Sequence, residues 1–150
     1  MLRSKVLSKN FIVTGHALNE ADEDGLTVYD IEHVLLTGEI SIRQVDSETR
    51  ERKYVVGGIG LSGQSCEVVV KFSPTGRLVN CGKRGATVRK VNRAYGTGQK
   101  LRVIEGIPVV RCPHCGETYF TAETLYEIER LRLHGKALSK KRQVAVTTYK

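Results

Sequence analysis

Residues 27–45 read Thr-Val-Tyr-Asp-Ile-Glu-His-Val-Leu-Leu-Thr-Gly-Glu-Ile-Ser-Ile-Arg-Gln-Val, and the change of period inside this stretch decides the fold class. Val28, Ile31, Val34 and Leu35 recur at three- and four-residue steps, the stripe of an amphipathic helix, with Thr27 placed as its N-cap. Gly38 stops that helix. From Glu39 the period becomes two: Ile40, Ile42 and Val45 alternate partly with polar residues, as in a half-buried strand. Toward the N-terminus, His16 to Asp24 reads as a short acidic helix ended by Gly25, and Phe11 to Thr14 as a short strand or an extended lead-in. Toward the C-terminus, Arg52–Val56, Glu67–Phe72 and Arg77–Val79 are rich in Val, Tyr and Ile and are separated by Gly, Ser and Pro. These predict antiparallel strands. Gly58-Ile59-Gly60-Leu61-Ser62-Gly63 matches G-x-G-x-x-G, but the segment after it is β-patterned. It therefore reads as a hairpin connection, because a dinucleotide fingerprint has to open a helix.

A second unit starts near Asn80. Thr87–Val91 and Leu101–Ile104 are its strand candidates, joined by the turn-rich Tyr95-Gly96-Thr97-Gly98, and Pro108-Val109-Val110-Arg111 leads into Cys112. Thr121 opens a helix as N-cap, with Glu123 in its first turn and Leu125, Ile128 and Leu131 as its stripe. The expected organisation is residues 10–80, residues 81–134 and a basic tail at 135–150. No internal repeat or low-complexity tract interrupts it.

With 40% apolar and 27% charged residues in 150, the composition is globular. No apolar run approaches the roughly 18–20 residues of a membrane span. The N-terminus carries no signal-peptide pattern, so a cytoplasmic location with no membrane association is expected. In a reducing compartment the four Cys read as metal or redox chemistry rather than as a disulfide framework. The net charge of +8 is unevenly spread. Residues 130–150 hold seven basic residues and no acid, residues 10–48 hold nine acids and one base, and residues 77–111 hold nine bases and one acid. Phosphate contacts are therefore expected at 77–111 and 130–150, away from the acidic first third.

Three groups of residues carry candidate chemistry. Cys112-Pro113-His114-Cys115-Gly116 has the C-x-x-C spacing of a metal knuckle. Its partner position, Cys81-Gly82-Lys83-Arg84, has Arg84 where a fourth Cys would stand, and a guanidinium has no lone pair to give. A zinc site would then use Cys81, Cys112 and Cys115, with Cys66, water or a partner chain's side chain as open choices for the fourth ligand; a metal-free remnant and a redox-active Cys pair are the alternative readings. His16 and Glu20 are four residues apart on one helix face, and His is suited to proton transfer near neutral pH. Arg52, with Lys71, could hold an RNA phosphate and stabilise its developing charge; the alternative reading is an edge strand guarded by charge.

Two resemblances follow from these residues. Cys81-x-x-Arg84, Ile107-Pro108, Cys112-Pro-His-Cys115-Gly-Glu117-x-Tyr119 and the helix with Thr121, Glu123 and Leu125 resemble the YgiT/MqsA-type zinc finger of bacterial antitoxins. Thr14-Gly15-His16-Ala17, the helix pair, Arg52-x-Tyr54-Val55-Val56-x-Gly58 and Glu67-Val68-Val69-Val70 resemble a small bacterial domain distantly similar to RelE-like and BrnT-like toxins. The pairing implies a toxin-like domain fused to an antitoxin-like zinc module. The expected fold is α+β: two helices packed on a small antiparallel sheet, then a zinc-ribbon-like unit ending in a helix. The implied function is endoribonuclease-like, with His16 and Glu20 moving protons and Arg52 with Lys71 stabilising charge. The alternative is a non-catalytic zinc-finger protein that binds a partner protein or nucleic acid.

Overall fold

A computed structural model describes residues 2–45, 47, 52–72, 85–135 and 137–147, without the side chain of Ile42. Its elements run α1 (Leu2–Leu7), β1 (Ile12–Thr14), α2 (Gly15–Glu23), α3 (Val28–Thr37), β2 (Glu39–Val45), β3 (Arg52–Ile59), β4 (Ser65–Phe72), β5 (Thr87–Tyr95), β6 (Arg102–Arg111), β7 (Thr118–Thr121) and α4 (Ala122–His134). The class is α+β with antiparallel sheets, as the period change at residue 38 predicts.

The stretch 27–45 folds as read. Thr27 caps α3, its hydroxyl accepting from the Asp30 N–H, while the Asp30 carboxylate accepts in return from the Thr27 N–H at 2.9 Å. This reciprocal capping box satisfies two of the N–H groups that a helix start leaves without partners. Strands β2, β3 and β4 form a three-stranded sheet in that order. Its register pairs Val56 with Val68 and Gly58 with Cys66 on one face, and Val55 with Val69 on the other. The first face packs on α3, where Val34 and Val56 are fully buried beside Ile31, Leu35, Ala21 and Cys66. Each of the Val, Ile and Leu side chains among them contributes about 1.5–3 kcal/mol on leaving water. Residues 60–64 form the β3–β4 turn, so the G-x-G-x-x-G match is indeed a hairpin connection.

The second sheet has the order β1-β7-β6-β5. Its first strand comes from near the N-terminus: Val13 pairs with Phe120 and Thr14 with Tyr119. The sheet thus crosses the 80/81 division drawn from the sequence. The core does so too, since Val13, Leu18 and Val28 share one cluster with Tyr95, Ile107, Val109, Phe120, Leu125 and Ile128. Helices α2 and α3 lie between the two sheets, contributing Leu18 and Val28 to one core and Ala21, Ile31 and Val34 to the other.

Sequence periodicity misses three features. Helix α1 is one of them, where a single buried residue, Val6, leaves no stripe to detect. The second is β7, only four residues long. The third is the continuity of β6, which the sequence reads as a strand at Leu101–Ile104 and a separate lead-in at Pro108–Arg111, with Gly106 between them. That glycine, at φ +72°, instead marks an irregularity in the β5–β6 pairing, where its N–H donates to the Asn92 side chain at 3.0 Å. The strand expected at Arg77–Val79 lies outside the described residues. Among the described residues, no helix is long and apolar enough to cross a membrane.

Candidate functional site

Helix α2 begins directly after β1, with the Thr14 hydroxyl accepting from the Ala17 N–H at 3.1 Å. This cap places His16 in the first turn, over the inner face of the four-stranded sheet. The His16 Nε2 lies 3.2 Å from a Glu20 carboxylate oxygen, and both side chains are exposed. The pairing anticipated from the four-residue spacing is therefore formed.

His16 lines an open cleft of about 410 Å³ between the start of α2 and the sheet. Val91, Val109 and Phe120 give it an apolar floor, and Asn19, Arg93 and Thr118 add polar groups. Gly15 packs so closely on the Thr118 hydroxyl that a side chain there would displace it.

Arg93 is the most constrained group in the cleft. Its Nε donates to the Tyr95 hydroxyl at 3.2 Å and one Nη2 hydrogen to Asp22 at 2.7 Å. The guanidinium also lies over the Tyr95 and Phe120 rings at 5.7 and 5.5 Å. Asp22 is shared, since its second oxygen accepts from Arg132 at 3.2 Å, and Arg132 donates in turn to Glu129 at 3.0 Å. Burial pushes the Glu129 carboxyl above its ordinary value; Arg132 and the Val28 N–H pull the other way without offsetting it. This network joins α2, α4 and β5.

The other expected site residues lie elsewhere. Arg52 pairs with Phe72 and Lys71 with Lys53, so alternation puts Arg52 and Lys71 on opposite faces of the three-stranded sheet. The two cannot converge on one phosphorus, and neither lines the cleft that holds His16. Sequence reading missed Arg93 as a site residue, although it falls within the basic stretch 77–111. Its partner Asp22 is 71 positions away, and no local pattern announces such a pair.

The Cys112–Gly116 knuckle forms the β6–β7 hairpin loop. The Cys112 N–H donates to the Glu117 carbonyl at 2.9 Å, the Gly116 N–H donates to the Cys112 carbonyl at 3.0 Å, and Gly116 takes the left-handed φ of +73°. Cys112 is fully buried and Cys115 exposed. Two thiols on one tight turn suit a thiolate-binding metal. Cys81, the third expected ligand, lies outside the described residues, among which no group of three or more His, Cys, Asp or Glu gathers as a metal site. Cys66 is one open choice for the fourth ligand. It sits in the core under α3, on the other sheet, where burial and then the carboxylates of Asp30, Asp24 and Glu67 push its thiol upward. It is a small buried apolar residue.

Asp30 is the other deeply buried carboxylate. Besides Thr27, it accepts from the Ser62 N–H at 3.2 Å, which fastens the β3–β4 turn onto the start of α3. Its role is structural.

Residues 13–79 match a family described as Domain of unknown function (DUF4258). That segment includes β1, α2, α3 and the three-stranded sheet, but not the cleft wall formed by β5–β7. No curated protein and no solved structure matches the chain.

Proposed function

We propose that this chain is a toxin–antitoxin-related protein of the cytoplasm that acts on RNA, with an endoribonuclease-like first segment. The observation that carries this reading is the His16–Glu20 pair at a cleft that also holds the Arg93 guanidinium. In the proposed reaction His16, supported by Glu20, takes the proton of the substrate's 2′-hydroxyl. The 2′-oxygen attacks the adjacent phosphorus, and the bond to the 5′-oxygen breaks. The imidazolium returns the proton to that leaving oxygen, yielding a cyclic phosphate and a free 5′-hydroxyl. Arg93 takes over the charge-stabilising role first expected of Arg52 and Lys71, because it lines the same cleft as His16.

The second segment carries the zinc-finger part of the proposal. One zinc ion would be held by Cys81, Cys112 and Cys115, with the fourth position taken by water or by a partner chain's side chain. Gly85 supports this reading, since a side-chain carbon there would contact the Pro113 ring at 3.7 Å. Cys81 is four residues before Gly85, a chain reach of about 14 Å. Zinc would supply structural closure of the hairpin rather than a reactive centre.

A second reading, a non-catalytic binding or regulatory protein, is favoured by the entry of β1 into the other segment's sheet, since the second segment then covers part of the first. RNA cleavage by the purified full chain, run beside His16→Ala, decides between them. Cleavage that falls at least 100-fold in the variant supports the nuclease. Equal background cleavage removes it. Zinc analysis of protein purified without chelator should give about one ion per chain, and a value near zero removes the three-Cys site.

A further inference from the structure

Three arginines frame the cleft, and only one of them is inside it. Arg89 stands directly opposite Val109 of the cleft floor, and Arg111 directly opposite Thr118 of the cleft wall. Directly paired residues in an antiparallel sheet share a face. The sheet face that forms the cleft floor therefore continues outward as a basic strip. Arg89 and Arg111 are both exposed, and β5, which carries Arg89 and Arg93, is an edge strand.

Arg93 differs from them in being set in place beforehand. A guanidinium has five N–H donors. Two are used, by Tyr95 and Asp22. The Arg93 side chain keeps 17% of its surface exposed and lines the cleft. Arg93 thus reaches the cleft with its orientation fixed by Asp22 and two aromatic rings.

We infer that this cleft and strip form a composite anion site for an unpaired RNA strand. Arg93 grips the phosphate nearest His16, and Arg89 and Arg111 carry the flanking phosphates. The inference rests on the proposed RNA-acting reading and deepens it by assigning the phosphate grip to the second segment, outside residues 13–79. Shape selects the unpaired strand. A concave pocket of about 410 Å³ with an apolar floor takes a splayed nucleotide, whereas stacked, paired bases present only their outer edges and backbone. Arg89 and Arg93, four residues apart on one strand, are separated by about 13 Å, enough to contact more than one phosphate of an extended strand. Asp22 is a positioning residue for Arg93.

The test uses the full chain and a fluorescent 12-nucleotide unpaired RNA, with the same sequence as a duplex for comparison. Binding is followed by anisotropy at several salt concentrations. The wild type should prefer the unpaired strand. In the Arg89→Ala, Arg111→Ala double variant the slope of log affinity against log salt should become shallower by about 1.4, roughly 0.7 for each lost contact to a single strand. Both residues are exposed, so the fold is retained, and an unchanged melting temperature verifies it. Asp22→Asn should weaken binding and shift KM, with Asp22→Glu recovering part of the loss. An unchanged slope in the double variant overturns the inference, as does an equal or greater affinity for the duplex. If the wild type binds with the expected slope but does not cleave, the nuclease reading falls and the binding site stands. If it cleaves while the slopes coincide, the strip alone is refuted.

Discussion

Replacing Asp30 tests how the three-stranded sheet is held to its helix. The side chain is almost fully buried and accepts from the Thr27 N–H at 2.9 Å, the Thr27 hydroxyl at 2.6 Å and the Ser62 N–H at 3.2 Å. Hydrogen bonds to a charged group contribute about 1.5–3 kcal/mol each, and an N-cap interaction about 1 kcal/mol. Ser62 is exposed, so water can replace its bond, whereas the Thr27 pair is half-buried. Asp30→Ala should therefore cost about 3 kcal/mol, and Asp30→Asn, which keeps an acceptor, roughly half of that. For a chain of this size 1 kcal/mol shifts Tm by about 2–4 °C, so the alanine variant should melt about 6–12 °C lower. Circular dichroism melting at pH 7 measures it. A pH dependence accompanies the loss. Burial raises the Asp30 carboxyl, but hydrogen bonds from Thr27, Ser62 and Leu61 outweigh it and hold the group below its ordinary value. Its stabilisation is therefore complete above the unfolded value of about 4 and is lost as pH falls below that. The gap between wild type and Asp30→Ala should narrow on acidification. A Tm within 2 °C of wild type at pH 7, or a gap constant down to pH 3, would refute the clamp.

Three further outcomes are expected. Glu129 has its folded value raised by burial, so its ionisation opposes folding as pH rises above about 4.3 and through that raised value. The Tm difference between Glu129→Gln and wild type should be more positive at pH 8 than at pH 5, and no change with pH contradicts this. Gly38→Ala would bring a methyl to 2.5 Å from the Gly57 carbonyl and 2.6 Å from the Val34 carbonyl, both backbone; a loss of about 1–3 kcal/mol in urea unfolding is expected, and a neutral effect counts against the close packing of α3 on β3. Residues 10–80 expressed alone lack β7 and the core partners of Leu18 and Val28. That fragment should melt without a cooperative transition, and a cooperative melt would show that the first segment needs none of them.

Much of the first segment is legible because its signals are local. The helix stripe at Val28–Leu35, the caps at Thr27 and Thr121 and the strand runs at 52–56 and 67–72 all depend on neighbours within a few residues, and all recur in the structure. Whatever depends on distant pairing is hidden. Val13 gives no hint that it faces Phe120, and Asp22 gives none that it holds Arg93. For the site, the His16–Glu20 spacing was readable, and charge segregation pointed to residues 77–111. The grouping of Arg52 with Lys71 failed on parity. Register places an even-numbered residue of β3 opposite an even-numbered one of β4, so Arg52 shares its face with Phe72, and Lys71 with Lys53.

The pairing of β1 with β7 also sets an order of events during synthesis. Ile12 and Thr121 are partners 109 positions apart. At about 5–20 residues per second, the ribosome takes roughly 5–22 s to deliver the second strand after the first. Until β5 and β6 are delivered, Leu18 and Val28 have no sheet to cover them, while α3 and the β2–β4 hairpins can already assemble from local contacts. The nascent chain therefore passes through a half-built state with one finished core and one open apolar surface. This is where a chaperone would bind and where aggregation would begin.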